Sequence, residues 1–399
     1  MSLDFKGRIP ELDGIRGIAI GMVLLHHYFF VSIQAQPATA LSYALVTGRL
    51  AWSGVDLFFV LSGFLIGGIL LDAKESTNYF RVFYTRRFFR IVPIYLVCLI
   101  GALALAAATR AGWTPGLAWM LKDQLPWLPY FVFLQNFWMA VGTTYGLFGL
   151  GVTWSLAVEE QFYLTLPILV RLLSQRALVS VVSLGVIAAP VFRVLLHSFW
   201  PEYHYSGVVL MFCRADALLL GVLGAVAMRS PKCRDAFSRS RASFRIALAI
   251  LAAGFAYLTW KAADAYGVVM LRIGFTWLAA FYLCILLYGL TFRQSWIGRC
   301  LRWKWLAWLG SIAYGAYLLH EFVRALFFGL FFSHAPQITS VAELMVSLLA
   351  LAATLVLCQL SWRYFEKPLI KQGHRARYEF GEAETTGAIA ALRAEGSST

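Results

Sequence analysis

Ten apolar runs of about 20 residues recur along this 399-residue chain, near 12–32, 50–71, 91–109, 154–171, 178–198, 207–228, 246–263, 268–290, 306–332 and 341–362. Each is long enough for one helix to cross the hydrocarbon core of a bilayer. That repetition leaves few folds open, because backbone amides in lipid must be satisfied within the segment, which a helix does alone. The expected architecture is all-α, a polytopic membrane helix bundle of about ten transmembrane helices. Charged residues make up only 14% of the chain, against about 25% in soluble domains. A further run near 126–140, PWLPYFVFLQNFWMA, is short and holds two prolines. It is expected to be re-entrant or interfacial rather than spanning.

The basic residues orient the bundle. A formal net charge of +14 is common in nucleic-acid binders, but here the Lys and Arg fall in short clusters between apolar runs, which is how topology is encoded; no nucleic acid is expected. With the N-terminus cytoplasmic, the clusters within 74–90, 229–245, 293–304 and 363–377 lie on one side, with Lys6, Arg8, Arg171 and Arg176. Only Arg49, Arg110, Lys122 and Lys261 are left in outer segments. Making 126–140 a full span would invert Arg171 and Arg176 and the three clusters after them, so both termini are placed in the cytoplasm. Residues 8–370 read as one membrane domain and 378–399 as a disordered tail. The opening MSLDFKGRIPELDG lacks a small-residue cleavage site and is not read as a signal peptide. Six scattered cysteines show no metal-ligand spacing, so neither a disulfide framework nor a metal site is expected.

Ionisable groups inside spans are functional candidates by default. Arg16 and His27 are eleven residues apart, roughly three turns plus about 20°, which puts them on one helix face about 16 Å apart. His26, about 80° away from Arg16, is expected to face elsewhere. Asp56 sits one turn inside the second span, among small residues suited to close helix packing. Arg86, Arg87 and Arg90 stand at the mouth of the third; Arg86 and Arg90, at i,i+4, form a fork suited to phosphates. The segment TWSLAVEEQFY carries Ser155 and Glu159 at i,i+4, with Glu160, Gln161 and Tyr163. In the ninth span Tyr314, Tyr317 and His320 follow one face, and His320, about 21 Å from the cytoplasmic end, matches His27 in depth. Two imidazoles at one level would flank a single cavity.

Five of these stretches occur in order: ELDGIRGIAI with Arg16 and His27, SGVDLFFVLSGFLI, RRFFRIVPIY, WSLAVEEQFY, and the late Tyr-x-x-Tyr-Leu-x-His. Together they resemble the integral-membrane acyltransferase-3 family, which O-acylates polysaccharides and other exported molecules, over roughly 8–370. The resemblance implies a multi-pass protein of the bacterial cytoplasmic (inner) membrane with acyl-CoA, most simply acetyl-CoA, as donor. The donor phosphates would lie near Arg86, Arg87 and Arg90, and its thioester arm would pass Arg16. His27 would be general base or covalent acyl carrier, with Asp56 or Glu159 orienting it or a neighbouring Arg. Arg16, Ser155 and Tyr314 are candidate oxyanion donors, and Ser155, Tyr314, Tyr317 and His320 candidate substrate contacts. The acceptor would be a carbohydrate or lipid-linked molecule. Some relatives add a soluble esterase-like domain, which is not seen in this sequence. The rival reading is a proton-coupled transporter or flippase using Arg16, His27 and Asp56 as a relay, although no inverted repeats are detectable. A second rival is a non-catalytic partner or sensor with the same fold.

Overall fold

The computed structural model describes residues 9–34, 39–261 and 264–380, which form helices, turns and loops apart from one bridge between Ile33 and Ile338. Ten long helices follow the ten apolar runs. They are α1 (Pro10–Leu25), α2 (Gly54–Asp72), α3 (Tyr79–Arg110), α4 (Thr153–Leu172) and α5 (Gln175–Phe199). After them come α6 (Met211–Arg229), α7 (Arg241–Lys261), α8 (Phe275–Thr291), α9 (Ala313–Phe332) and α10 (Val341–Ser361). Eight of the ten, all but α1 and α4, lie in stretches long and apolar enough to cross a membrane. Of the other two, α1 has only 16 residues and carries Glu11, Asp13 and Arg16, and α4 carries Glu159, Glu160 and Arg171. Glu11 is buried and satisfied by Arg293 at 2.7 Å and Arg302 at 2.9 Å, so charge inside the bundle is paired as a low-dielectric interior requires.

Small residues set the spacing of the central helices. A Cβ on Gly63 of α2 would stand 1.8 Å from the Leu218 carbonyl oxygen of α6, and one on Gly17 of α1 would stand 2.1 Å from the Leu306 oxygen. Only glycine permits backbones that close. The ninth apolar run is not one continuous helix. A short helix, Lys304–Ser311, packs along α1, and the chain breaks at Ile312 before α9 begins.

The 126–140 region forms two short helices, Leu128–Phe131 and Gln135–Gly142, neither long enough to span. Gln161 of α4 ties it down, donating to Phe133 O at 3.0 Å and Asn136 Oδ1 at 2.9 Å. At the other end of the chain, Glu379 pairs with the α2–α3 connection: Thr77 N donates to Glu379 O at 2.8 Å and Glu379 N to Asn78 Oδ1 at 3.1 Å. The region read as a tail therefore starts docked over 378–380. Residues 381–399 lie outside the described residues, as do 1–8.

Candidate active site

α1 ends in a π-turn, His26–Phe30, a local widening by one residue that is frequent at functional sites. Val31 N–H bonds to His26 O at 2.9 Å rather than to His27 O, its partner in an α-helix. The freed carbonyl of His27 is taken by Ser32 Oγ at 2.7 Å and by the guanidinium of Arg324. His26 N–H still bonds to Met22 O in α-helical register, so the extra residue lies beyond it, and the cavity is wide enough to take both neighbouring rings. Both His26 and His27 line one cavity, with ring centroids 5.0 Å apart, so the expectation that His26 faces elsewhere is corrected.

The imidazole of His27 is oriented atom by atom. Its Nδ1 lies 3.1 Å from Val23 O, and a carbonyl only accepts, so Nδ1 carries the hydrogen and Nε2 keeps the lone pair. The same reasoning on His320, whose Nδ1 is 2.9 Å from Ala316 O, makes its Nε2 an acceptor, and that atom is 3.1 Å from His27 Nδ1. The two imidazoles therefore do not flank a cavity. His27 faces it, and His320, fully buried, stands behind and braces His27.

The nearest carboxylate to His27 is one the sequence reading passed over. Glu321 Oε1 lies 3.5 Å from His27 Nε2, and Glu321 Oε2 is ion-paired to Arg324 at 2.9 Å. Neither Asp56 nor Glu159 takes that place. The available signal was the dyad His320–Glu321, with Arg324 one turn further along α9. Ligand atoms of His27, His320 and Glu321 lie within 4.8 Å of one another, the one grouping among the described residues that could hold a metal ion. The Arg324 charge already on Glu321 weakens it as a ligand for a cation.

The cavity before His27 encloses about 1230 Å³, within reach of a sugar-sized ligand. Its walls mix aromatic rings (Trp52, Trp154, Tyr145, Tyr266) with Glu321, Arg324 and Tyr317. Tyr317 donates to Val152 O at 2.9 Å and contacts Ser155 Oγ at 2.5 Å, and Ser155 also bonds to Val152 O at 3.1 Å. Both hydroxyl hydrogens are thus used internally. Tyr314 is spent on Ile91 O at 3.1 Å and does not line the cavity. Asp56, 1% exposed, pairs with the buried Arg214, whose guanidinium lies 3.8 Å from the Phe275 ring. A second buried pair, Arg193–Asp216 at 2.9 Å, adjoins it. Asp56 therefore neutralises Arg214 at the cavity wall.

A second polar group gathers toward the basic side of the bundle. Arg16 bonds to Asp13 at 2.9 Å and stands in the field of Arg87 and Arg90. Glu159 is within reach of the Ser62 and Tyr163 hydroxyls, which bond to each other, and feels the same two arginines. Glu160 faces Arg87, and Glu366, bonded to Ser361 at 2.9 Å, faces Arg90. Arg87 Nε and Glu160 Oε1 have no hydrogen-bond partner among the described residues. Arg86 leaves this group. It donates to Ala376 O at 3.0 and 2.7 Å and lies over the Tyr378 ring at 5.0 Å, so the expected Arg86/Arg90 fork is replaced by Arg87 and Arg90. Burial, and after it the charges of Arg86, Arg87 and Arg90, hold the nearby His374 below the ordinary imidazole range.

Sequence comparison finds relatives along most of the chain. The Acyltransferase domain of the acyltransferase-3 family matches residues 9–363. The chain is 29% identical over 389 residues to the Bacillus subtilis (strain 168) protein named "Putative peptidoglycan O-acetyltransferase YrhL", and 27% identical over 381 residues to the peptidoglycan O-acetyltransferase OatA of Listeria monocytogenes. Each alignment covers 92% of this chain and 56% of the relative, so the chain spans little more than half the length of these relatives. No solved structure matches it.

Proposed function

Because the chain belongs to the acyltransferase-3 family of membrane acyltransferases, we propose that it moves an acetyl group from acetyl-CoA, bound on the basic side, to a hydroxyl of a carbohydrate or lipid-linked acceptor in the His27 cavity. The observation that carries this reading is the state of His27: Nδ1–H held by Val23 O, Nε2 bearing the lone pair, and Glu321 3.5 Å away. A base so arranged takes a proton from an acceptor hydroxyl, and the imidazolium it becomes is stabilised by the adjacent carboxylate. The acceptor oxygen adds to the thioester carbonyl, the C–S bond breaks, and the thiolate leaves with the proton returned by His27. The products are an O-acetyl ester and free thiol. Arg16, Arg87 and Arg90 supply charge for the donor phosphates, with Glu159 and Glu160 holding those arginines in place. His320 and Arg324 are positioning residues, and Tyr317 with Ser155 forms a wall of the acceptor site. In a bacterial cell the basic side would be the cytoplasm and the membrane the inner one.

The test is thiol release from acetyl-CoA by the purified protein in liposomes with peptidoglycan fragments as acceptor, comparing wild type with His27→Ala. Release by wild type only, with a folded variant, is the expected result. Equal release by both would remove His27 from the chemistry. Retained acetyl-CoA binding with no release from either would favour a non-catalytic role.

A further inference from the structure

A second cavity, of about 580 Å³, lies on the basic side of the bundle between α7, the end of α8 and the short helix Trp296–Leu301. Arg241 and Arg245 enter it from α7 and Arg299 from the short helix, and no carboxylate lines it. Tyr288, itself buried, lines the cavity beside Arg241 and Arg245. Beyond the arginines the wall turns apolar, with Leu248, Ala249 and Ala252. The same stretch of α7 leaves Ile246 and Ile250 exposed, so the wall continues onto a face suited to acyl chains.

We propose that this cavity binds the phosphate headgroup of an anionic phospholipid, with its acyl chains lying along α7. A topology signal requires arginines on one side of the membrane. It does not require three of them, from two separate elements, to converge in one cavity without a counter-charge. Guanidinium groups bind phosphate oxygens through paired N–H donors, and basic pockets between helices on the cytoplasmic side suit such headgroups. Level is consistent too: Trp296 lines the cavity 70% exposed, and Trp303 and Trp305 are exposed just beyond it, as in the aromatic belt at a membrane interface. α7 is the least buried of the candidate spans, so a bound lipid would fasten a helix that protein contacts hold weakly.

Native mass spectrometry of the full chain in detergent, titrated with phosphatidylglycerol, phosphatidylcholine, inorganic phosphate or coenzyme A, tests this. Phosphatidylglycerol should be retained over phosphatidylcholine. Arg241→Gln, Arg245→Gln and Arg299→Gln should each weaken retention about fivefold, from roughly 1 kcal/mol per basic residue. The pair Lys232→Gln and Arg234→Gln, on the same side but outside the cavity, should change little. Equal retention of phosphatidylcholine, or equal loss in the Lys232/Arg234 variant, would reduce the site to an apolar groove or a diffuse surface charge and overturn the proposal. Displacement of the lipid by phosphate or coenzyme A would overturn it in favour of a soluble phosphate ligand. Melting without lipid, unchanged in the variants, separates lost binding from lost folding.

Discussion

Around His27 the protein supplies its own partners: two backbone carbonyls, a second imidazole and an Arg–Glu pair fix the ring and its tautomer. Around Arg16, Arg87 and Arg90, charges of both signs crowd together, and Arg87 Nε and Glu160 Oε1 have no partner of their own. A ring whose orientation is fixed by its neighbours is prepared for a chemical step, which demands fixed geometry, although His26 Nδ1 and Arg324 Nε beside it have no hydrogen-bond partner among the described residues. A site with buried unpaired atoms is stabilised by what it binds, since an unsatisfied buried polar group costs about 1–3 kcal/mol. Both regions keep buried polar atoms without partners, so what separates them is that His27 is held atom by atom while the arginine group is held mainly by charge.

That contrast can be broken in order of expected size. His27→Ala should lower acetyl transfer by about 10²–10⁴-fold, the usual contribution of a general base; a folded variant with near-normal turnover would dissolve the reaction centre. Glu321→Gln removes the charge beside the imidazolium, a charge-assisted contact of about 1.5–3 kcal/mol, so kcat should fall roughly 10- to 100-fold while KM for acetyl-CoA holds. A change in KM alone would place Glu321 in binding instead. Arg87→Gln should do the reverse, raising KM for acetyl-CoA about tenfold with kcat nearly kept, as steady-state kinetics would register. Arg86→Gln should be the mildest. Its guanidinium is engaged by Ala376 O and Tyr378, so donor affinity should stay within about twofold while proteolysis of the C-terminal segment quickens; a loss of affinity equal to that of Arg87→Gln would restore the Arg86/Arg90 fork.

The bundle was legible because hydrophobic run length and charge asymmetry are one-dimensional quantities, and the 126–140 segment was readable for the same reason: two prolines and too few apolar residues to span. Arg16, His27 and His320 stood out because ionisable groups in apolar runs are costly and therefore informative, and Arg86, Arg87 and Arg90 because they cluster at the mouth of a span. The partnerships among them were not legible. Spacing arithmetic gives the direction of a side chain but not the width of the cavity it meets, and at about 1230 Å³ the cavity takes both His26 and His27. Asp56 was expected to orient His27 or a neighbouring Arg, and its partner is an arginine, Arg214, 158 positions along the chain.

The amino-acid order by itself determined that this chain crosses a membrane repeatedly, which side carries the positive charge, and which ionisable side chains are buried with it, because each follows from local composition. Only the tertiary structure decided that Glu321 rather than Asp56 or Glu159 faces His27, that His320 braces His27 from behind the cavity, and that Arg86 leaves the arginine group. Those choices depend on how α1, α4, α6 and α9 pack against one another, and contacts across hundreds of residues leave no periodic trace along the chain.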